Sequence, residues 1–427
     1  MFAAVFQQLK SVGLLVGSNA FATLTIAVGT FLIAKIVAPA EFGKYALAAQ
    51  VAVSIYPVLT LRYEHALPLL GNRHASLYLA GCLLLLFTTT LLFLTLGLIV
   101  LTIPALAAYL PKDIIDLIPL VALGAFMLAL SSIFQSAALV RGALSHLAIA
   151  RVLRAIAMVS IQIGLVLSLG ASATWLFIGE VSANLVHGSI LASVFGLGGV
   201  LVSARRPWSQ FRRRIIVFGL RYKEFPLVTL PHMMIHAALG VLFAIALGGL
   251  YGPAALGQYY LMRKLVFGVL ALFGTAFYQH AIAEAARMPR TKLFGVALRV
   301  LVLMGGVGVA SVGVILLVGP ALFTLVVGDK WVEAGLMAAA SAPLILLEPV
   351  TSALAFLPIF LGHQRIAFAV AVAQGSVGIA AIGIAGLLGW DVITAIVVSS
   401  LAVSTVMLSY VFWLLRRAQR VQAGLRG

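Results

Sequence analysis

Apolar runs of about twenty residues or more recur along the whole chain, each long enough to cross the ~30 Å hydrocarbon core of a bilayer as a helix. The runs are continuous rather than alternating, which excludes a transmembrane barrel. With 63% of 427 residues hydrophobic and 9% charged, no water-soluble domain could hide this much apolar surface. The expected class is an all-α polytopic membrane protein with about twelve transmembrane helices. The spans fall near 12–36, 45–70, 76–103, 116–140, 147–169, 174–201, 226–249, 257–284, 293–318, 336–361, 366–388 and 391–415. The stretch from Met1 to Lys10 is followed by an apolar run with no short cleavable core, so the first span is expected to be retained.

Charge sets the orientation. Of the 28 Lys and Arg, only Lys35, Lys44, Lys112 and Lys330 fall outside when both termini are cytoplasmic, while Arg263, Lys264 and Arg299 fall within spans. Glu41, Asp113, Asp116, Asp329, Glu333 and Asp391 all fall on the outer side. A net charge of +17 therefore reads as inner loops facing anionic lipid, not as a nucleic-acid surface. Cys82 is the single cysteine, which excludes an intramolecular disulfide and a cysteine metal cluster.

The chain divides into residues 1–202 with spans 1–6, a basic cytoplasmic linker 203–225, residues 226–415 with spans 7–12, and a basic cytoplasmic tail 416–427. In the linker, Arg205, Arg206, Arg212, Arg213, Arg214, Arg221 and Lys223 alternate with Trp208, Phe211, Ile215, Ile216 and Phe218. That pattern fits an amphipathic helix on the inner leaflet, and more simply an inter-lobe linker whose charge fixes topology. The outer loops, the longest near 104–115 and 319–335, are too short to hold a catalytic domain.

The halves repeat each other. Pro39-Ala40-Glu41-Phe42-Gly43-Lys44-Tyr45 returns half a chain length later as Pro253-Ala254-Ala255-Leu256-Gly257-Gln258-Tyr259, with Pro, Ala, Gly and Tyr in register. Tyr63-Glu64-His65-Ala66 returns at nearly the same offset as Tyr278-Gln279-His280-Ala281. Six spans per half make these parallel repeats about an axis along the membrane normal, an organisation typical of transporters, with a substrate path expected between the halves. Both Pro-Ala copies lie in outer turns, where proline suits a first helical turn.

These residues also carry a resemblance. The first Pro-Ala stretch, followed by Leu61-Arg62-Tyr63-Glu64-His65-Ala66-Leu67-Pro68, resembles the first two spans of polysaccharide-biosynthesis flippases, the Wzx-type branch of the multidrug/oligosaccharidyl-lipid/polysaccharide exporter superfamily. Val327-Gly328-Asp329-Lys330-Trp331-Val332-Glu333-Ala334-Gly335 is similar to that family's Gly-acid-x-Trp-x-x-Ala-Gly element, and Leu361-Gly362-His363-Gln364 to its Gly-x-Gln turn. The resemblance covers essentially the whole chain. It implies a two-lobed, V-shaped transporter in the bacterial inner membrane. Its cargo would be an undecaprenyl-pyrophosphate-linked glycan, moved to the outer leaflet for O-antigen, capsule or exopolysaccharide synthesis. Membrane lipids, a polysaccharide polymerase and chain-length proteins are the partners it suggests.

Charges inside spans are costly and are site candidates by default. For a cationic substrate cavity these are Arg62, Arg151, Arg154, Arg263, Lys264 and Arg299. Arg62 and Glu64 read as a pyrophosphate contact with its tuning acid, or as interfacial anchors that, two positions apart, need separate partners. Arg263 and Lys264, adjacent within span 8, suit phosphate, or snorkel to the outer head groups. Arg151 and Arg154 also follow from positive-inside topology. Candidates for H+ or Na+ coupling are Glu64, Glu180, His187 and Glu348, the last beside Pro349 near mid-membrane. Glu180, Asn184 and His187 share one face of span 6, which also suits helix–helix hydrogen bonding. Gln50, Ser54 and Pro57 form a polar stripe that runs on to Glu64, and Asn19 lines span 1. His232 and His236 share a face with no third ligand, so they read as cavity-lining, and His280 with Glu284 as an interfacial pair. No phosphate-cradling Gly-Lys-Ser/Thr loop is present and no cofactor is expected. Two alternatives stay open: an ion-coupled drug or cation antiporter of the same superfamily, and a lipid-linked peptidoglycan-precursor flippase.

Overall fold

A computed structural model describes residues 2–70, 75–102, 118–194, 208–286 and 288–424. Arg73, Lys112, Asp113, Asp116, Arg205, Arg206 and Arg287, together with the outer loop near 104–115, lie outside the described residues. Among the described residues every element is helical: α1 (Phe2–Ile36), α2 (Pro39–Thr60), α3 (Ala75–Thr102), α4 (Ile118–Val140), α5 (Leu144–Leu169), α6 (Ala173–Ser193), α7 (Trp208–Arg221), α8 (Leu230–Met262), α9 (Gly268–Ala285), α10 (Leu293–Val327), α11 (Val332–Ala340), α12 (Ala342–Ala353), α13 (Leu357–Leu361), α14 (Gln364–Leu387) and α15 (Val392–Gln422). Local chemistry sets the ends. Pro39 opens α2. Ser172 caps α6 by accepting from the Thr174 N–H, and Asp391 caps α15 by accepting from the Thr394 N–H.

Among the described residues, eleven helical stretches are long and apolar enough to cross a membrane. One of them, Phe225–Ile282, holds 58 residues and breaks at Gly252, whose φ of 88° is open to glycine alone at little cost. A side chain built at Gly248 would meet Leu256, and the rings of Phe243 and Tyr259 stand 5.1 Å apart. Sixteen residues of straight helix would separate those rings by about 24 Å. The stretch therefore folds back on itself and supplies two crossings, which brings the number to the twelve expected. The outward faces are apolar: Leu317, Leu325 and Leu387 are 84%, 85% and 85% exposed. Such faces suit hydrocarbon and not water. The chain is a multi-pass helical membrane protein.

Contacts divide the chain into two compact units, residues 1–29 with 44–241, and residues 30–43 with 242–427. The border falls inside α8 rather than in the 203–225 linker. The start of α8 packs on α2, where Ser54 Oγ donates to the Ala237 carbonyl and the Gln50 amide fills the space beside Gly240. In the first unit α6 packs between α4 and α5. In the second, α10 packs on α11 and α12, and α14 on α15, around a core that includes Met304, Phe356 and Leu414.

Several expected boundaries move. α2 stops at Thr60, and Tyr63–Leu69 forms a separate 3-10 segment, so the stripe from Gln50 to Glu64 is not one helix face. Residues 319–327 are helical, so the loop expected at 319–335 shrinks to a break at Gly328. The tenth span is interrupted at Ser341, between α11 and α12. The tail begins as helix, because α15 carries Arg416, Arg417 and Arg420. The linker does form a helix, α7, whose Phe211 and Ile215 pack on Leu77 and Ala80 of α3.

Candidate functional site

The first unit encloses a cavity of about 460 Å³. Four helices line it with polar residues one turn apart: Asn19 and Thr23 from α1, Ser131, Ser132 and Gln135 from α4, Arg151 and Arg154 from α5, and Asn184 and His187 from α6. Spacings of three and four put such pairs on one helix face. Tyr56 near the end of α2, Arg62 and His65 complete the wall.

The Arg62 turn has an unusual backbone. Leu61 and Arg62 both adopt left-handed conformations, with φ of 47° and 61°, and neither is glycine. Each costs about 1–2 kcal/mol for an L-residue and needs support from its surroundings. Thr60 Oγ1 accepts from the Arg62 N–H at 3.2 Å, and Arg62 Nη1 donates to the Tyr56 hydroxyl at 3.4 Å. The turn carries the Arg62 guanidinium back over the 3-10 segment, 3.3 Å from Glu64 Oε1. The expectation that two positions apart cannot pair rested on a continuous helix and is corrected by this turn. Glu64 is fully buried. Its ion pair lacks hydrogen-bond geometry, so among the described residues both carboxylate oxygens and Arg62 Nε have no hydrogen-bond partner. Burial raises the Glu64 carboxyl above its ordinary range, against the pull of Arg62. Burial, and then the Arg62 charge, push the His65 imidazole down to about 4, so the ring is neutral at pH 7.

Deeper in the wall, Arg154 Nε donates to Asn184 Oδ1 at 2.8 Å, and Ser131 Oγ and His187 Nδ1 share a hydrogen bond of 2.5 Å. Asn184 Nδ2 is buried with no hydrogen-bond partner among the described residues. Among the described residues the lining thus holds three guanidinium groups, neutral donors and acceptors, and no carboxylate; Glu64 lies behind Arg62. Guanidinium groups beside neutral donors and acceptors have the chemistry to pair with a phosphate-like anion carrying hydroxyl or amide groups.

Of the sequence candidates, Asn19, Arg62, Arg151, Arg154, Asn184 and His187 meet in this cavity. Glu64 sits beside it. Glu180, on the same face of α6 as Asn184 and His187, accepts a 2.6 Å hydrogen bond from the Tyr45 hydroxyl. Gln50 packs on Gly240, and His232 and His236 are exposed with their rings 5.2 Å apart. In the second unit Arg263 and Lys264 open a π-helical turn, Arg263–Phe267. The Arg263 guanidinium lies over the Phe267 ring at 4.9 Å, within electrostatic reach of Glu348, and Lys264 Nζ is 5.9 Å from the Tyr260 ring. Arg299 is 63% exposed and pairs with Glu284 Oε1 at 2.6 Å, while the expected partner His280 meets Oε2 of the same carboxylate at 3.9 Å. Sequence reasoning passed over Tyr56, His65, Ser131, Ser132 and Gln135. Polar residues at helical spacing in the otherwise apolar α4 were the available signal. Among the described residues no three His, Cys, Asp or Glu side chains are grouped to hold a metal ion.

No family model and no curated protein matches the sequence. Solved structures share the fold. A structure of the lipid II flippase MurJ in an inward closed conformation aligns with a TM-score of 0.72 at 14% identity, over 96% of this chain and 90% of that one. An inward-facing multidrug resistance MATE family transporter of the MOP superfamily aligns at 0.58 and 14% identity, over 96% and 95%. A MOP superfamily transporter from Pyrococcus furiosus, described as having a binding pocket of reverse polarity, aligns at 0.55 and 14% identity, again over 96% and 95%. The chain therefore has the fold of MOP superfamily transporters.

Proposed function

We propose that this protein is a flippase that carries a polyprenyl-pyrophosphate-linked oligosaccharide from the cytoplasmic to the outer leaflet of the bacterial inner membrane by alternating access. The observation that carries this reading is a cavity with Arg62, Arg151 and Arg154 on its wall and no carboxylate among the described lining residues. Stripping water from a pyrophosphate is prohibitive in hydrocarbon unless fixed charges and donors replace it. Three guanidinium groups supply the charge. Asn19, Thr23, Ser132 and Gln135 offer hydrogen-bonding groups to sugar hydroxyls. Glu64, paired with Arg62, is the coupling group this arrangement favours. An anion arriving at Arg62 weakens that ion pair and favours a neutral Glu64, which links cargo to a proton. Arg263 with Glu348 is a second candidate for coupling.

A drug or cation antiporter fits poorly, because an arginine wall repels its cargo. A peptidoglycan-precursor flippase is the second reading. It needs the same pyrophosphate chemistry, and a lipid II flippase shares the fold. Gene replacement separates the two. A strain lacking its surface-polysaccharide flippase regains surface glycan if the first reading holds. Rescue of growth only in a strain depleted of its lipid II flippase supports the second, and rescue of neither refutes both.

A further inference from the structure

α7 presents two kinds of surface. Phe211, Ile215 and Phe218 turn inward onto the start of α3, with Ile215 filling the space beside Gly81 and Phe218 stacked on Tyr78 at 4.5 Å. Arg212, Arg213, Arg214 and Arg221 are exposed. So are Trp208, Ile216, Val217 and Leu220, at 63%, 49%, 56% and 66%. Water suits the arginines but not the apolar group, and hydrocarbon the reverse. Position resolves the conflict. α7 packs on Leu77 and Ala80, among the first residues of a span that begins at Ala75, and a second span begins at Phe225, just past its end. The helix therefore lies at the border of the bilayer, where apolar side chains reach acyl chains and arginines reach head-group phosphates.

The same helix is fastened to the turn that bears Arg62. The Tyr63 hydroxyl donates to the Gly219 carbonyl at 3.1 Å, the Tyr63 ring packs on Phe218, and the His65 ring stacks on Phe225 just beyond α7. Tyr63 and His65 flank Glu64 and follow directly on the strained Leu61-Arg62 pair.

We propose that α7 is a docking face for acidic phospholipids of the bilayer, and that seating it there clamps the Arg62 turn through Tyr63 and His65. The partner's chemistry follows from charge complementarity: the exposed face carries arginines and no acid, so anionic head groups are selected over zwitterionic ones. The inference stands apart from the cargo assigned above, since it concerns bulk lipid and a surface outside the cavity.

The test uses the full-length protein in phosphatidylcholine nanodiscs doped with an equal fraction of brominated phosphatidylglycerol or brominated phosphatidylcholine. Trp208 is isolated as the difference between the wild type and Trp208→Phe. Its fluorescence is expected to be quenched about twofold or more strongly by the anionic lipid, with the preference lost in the triple variant Arg212→Gln, Arg213→Gln, Arg214→Gln. Hydrogen exchange of the 62–70 amides is expected to slow in phosphatidylglycerol. Tyr63→Phe should abolish that slowing and keep the quenching preference. Equal quenching by the two lipids overturns the head-group selectivity. No quenching by either means that another protein or water covers this face, and refutes the proposal. Selective quenching with unchanged exchange refutes the clamp.

Discussion

Gly43 and Gly257 face each other so closely that neither has room for a β-carbon. An ideal Cβ on Gly43 would lie 1.9 Å from the Pro253 carbonyl oxygen, and one on Gly257 would lie 1.9 Å from that of Pro39. The contact is reciprocal because the two residues occupy the same place in the repeated Pro-Ala-x-x-Gly-x-Tyr stretch. The two copies meet as helix starts, backbone on backbone, as small residues allow in membranes.

Gly43→Ala and Gly257→Ala should each be strongly destabilising. The clash is with backbone, which cannot swing aside, so the cost lies at or beyond the upper end of the ~1–3 kcal/mol typical of overpacking. Gly97→Ala is the control: it is helical and no atom lies within 4 Å of its added Cβ. Thermal unfolding in detergent should show a lowered midpoint for the first two variants and little change for the third. A wild-type midpoint for Gly43→Ala would mean that the crossing is not close-packed.

Trp331 should depend on its N–H as much as on its ring. It is fully buried, meets Phe42 edge-on at 5.6 Å and donates from Nε1 to the Ala34 carbonyl at 2.7 Å. Gln258 completes the arrangement, donating to the Lys330 carbonyl and accepting from the Ala334 N–H. Trp331→Phe keeps an aromatic ring but orphans a buried carbonyl, a loss of about 1–3 kcal/mol. Gln258→Leu should cost at least as much, because it strands a donor and an acceptor together. The same unfolding measurement checks both, and tolerance of Gln258→Leu would show the bridge to be dispensable.

These contacts mark how far the sequence could be read. Span number, helix starts at Pro39, the repeat and the arginines of α5 were legible because they depend on local chemistry or on periodicity. The Arg62 turn was not. Leu61 and Arg62 are poor left-handed residues, so only their surroundings impose that conformation, and with it the pairing of Arg62 with Glu64. Arg299 looked like a cavity cation because its partner Glu284 comes from another span. Glu180 shares a face with Asn184 and His187, yet Tyr45, distant in sequence, claims it. In each case the deciding neighbour is tertiary.

The cavity assignment separates two classes of arginine. Arg154 is held on the wall by Asn184, whereas Arg299 is exposed and salt-bridged at the surface. On the proposed function, Arg154→Ala should lower transport about tenfold or more, as expected for losing hydrogen bonds to a charged ligand group. Arg154→Lys should restore only part of it, since an ammonium lacks the bidentate fork. Arg299→Ala should stay within about twofold, because an exposed ion pair contributes little. Surface glycan restored in a deletion strain, normalised to protein in the membrane, gives the comparison. Equal losses at Arg154 and Arg299 would sink the distinction.

His65 should make the protein acid-sensitive in a defined window. The folded state holds its imidazole near 4, through burial first and the Arg62 charge second, against 6.5 for a free ring. Between those values the unfolded chain binds a proton that the folded chain refuses. The His65 contribution is therefore fully present above about pH 6.5 and is lost as pH falls toward 4. His65→Phe cannot titrate and retains a ring to stack on Phe225. Its unfolding midpoint should fall less than that of the wild type between pH 7 and pH 4.5, with the two curves parallel above pH 7. The side chain is 42% exposed, so solvent screening keeps the difference modest. Parallel curves across the whole range would show that His65 is protonated as easily in the folded protein as in the unfolded chain.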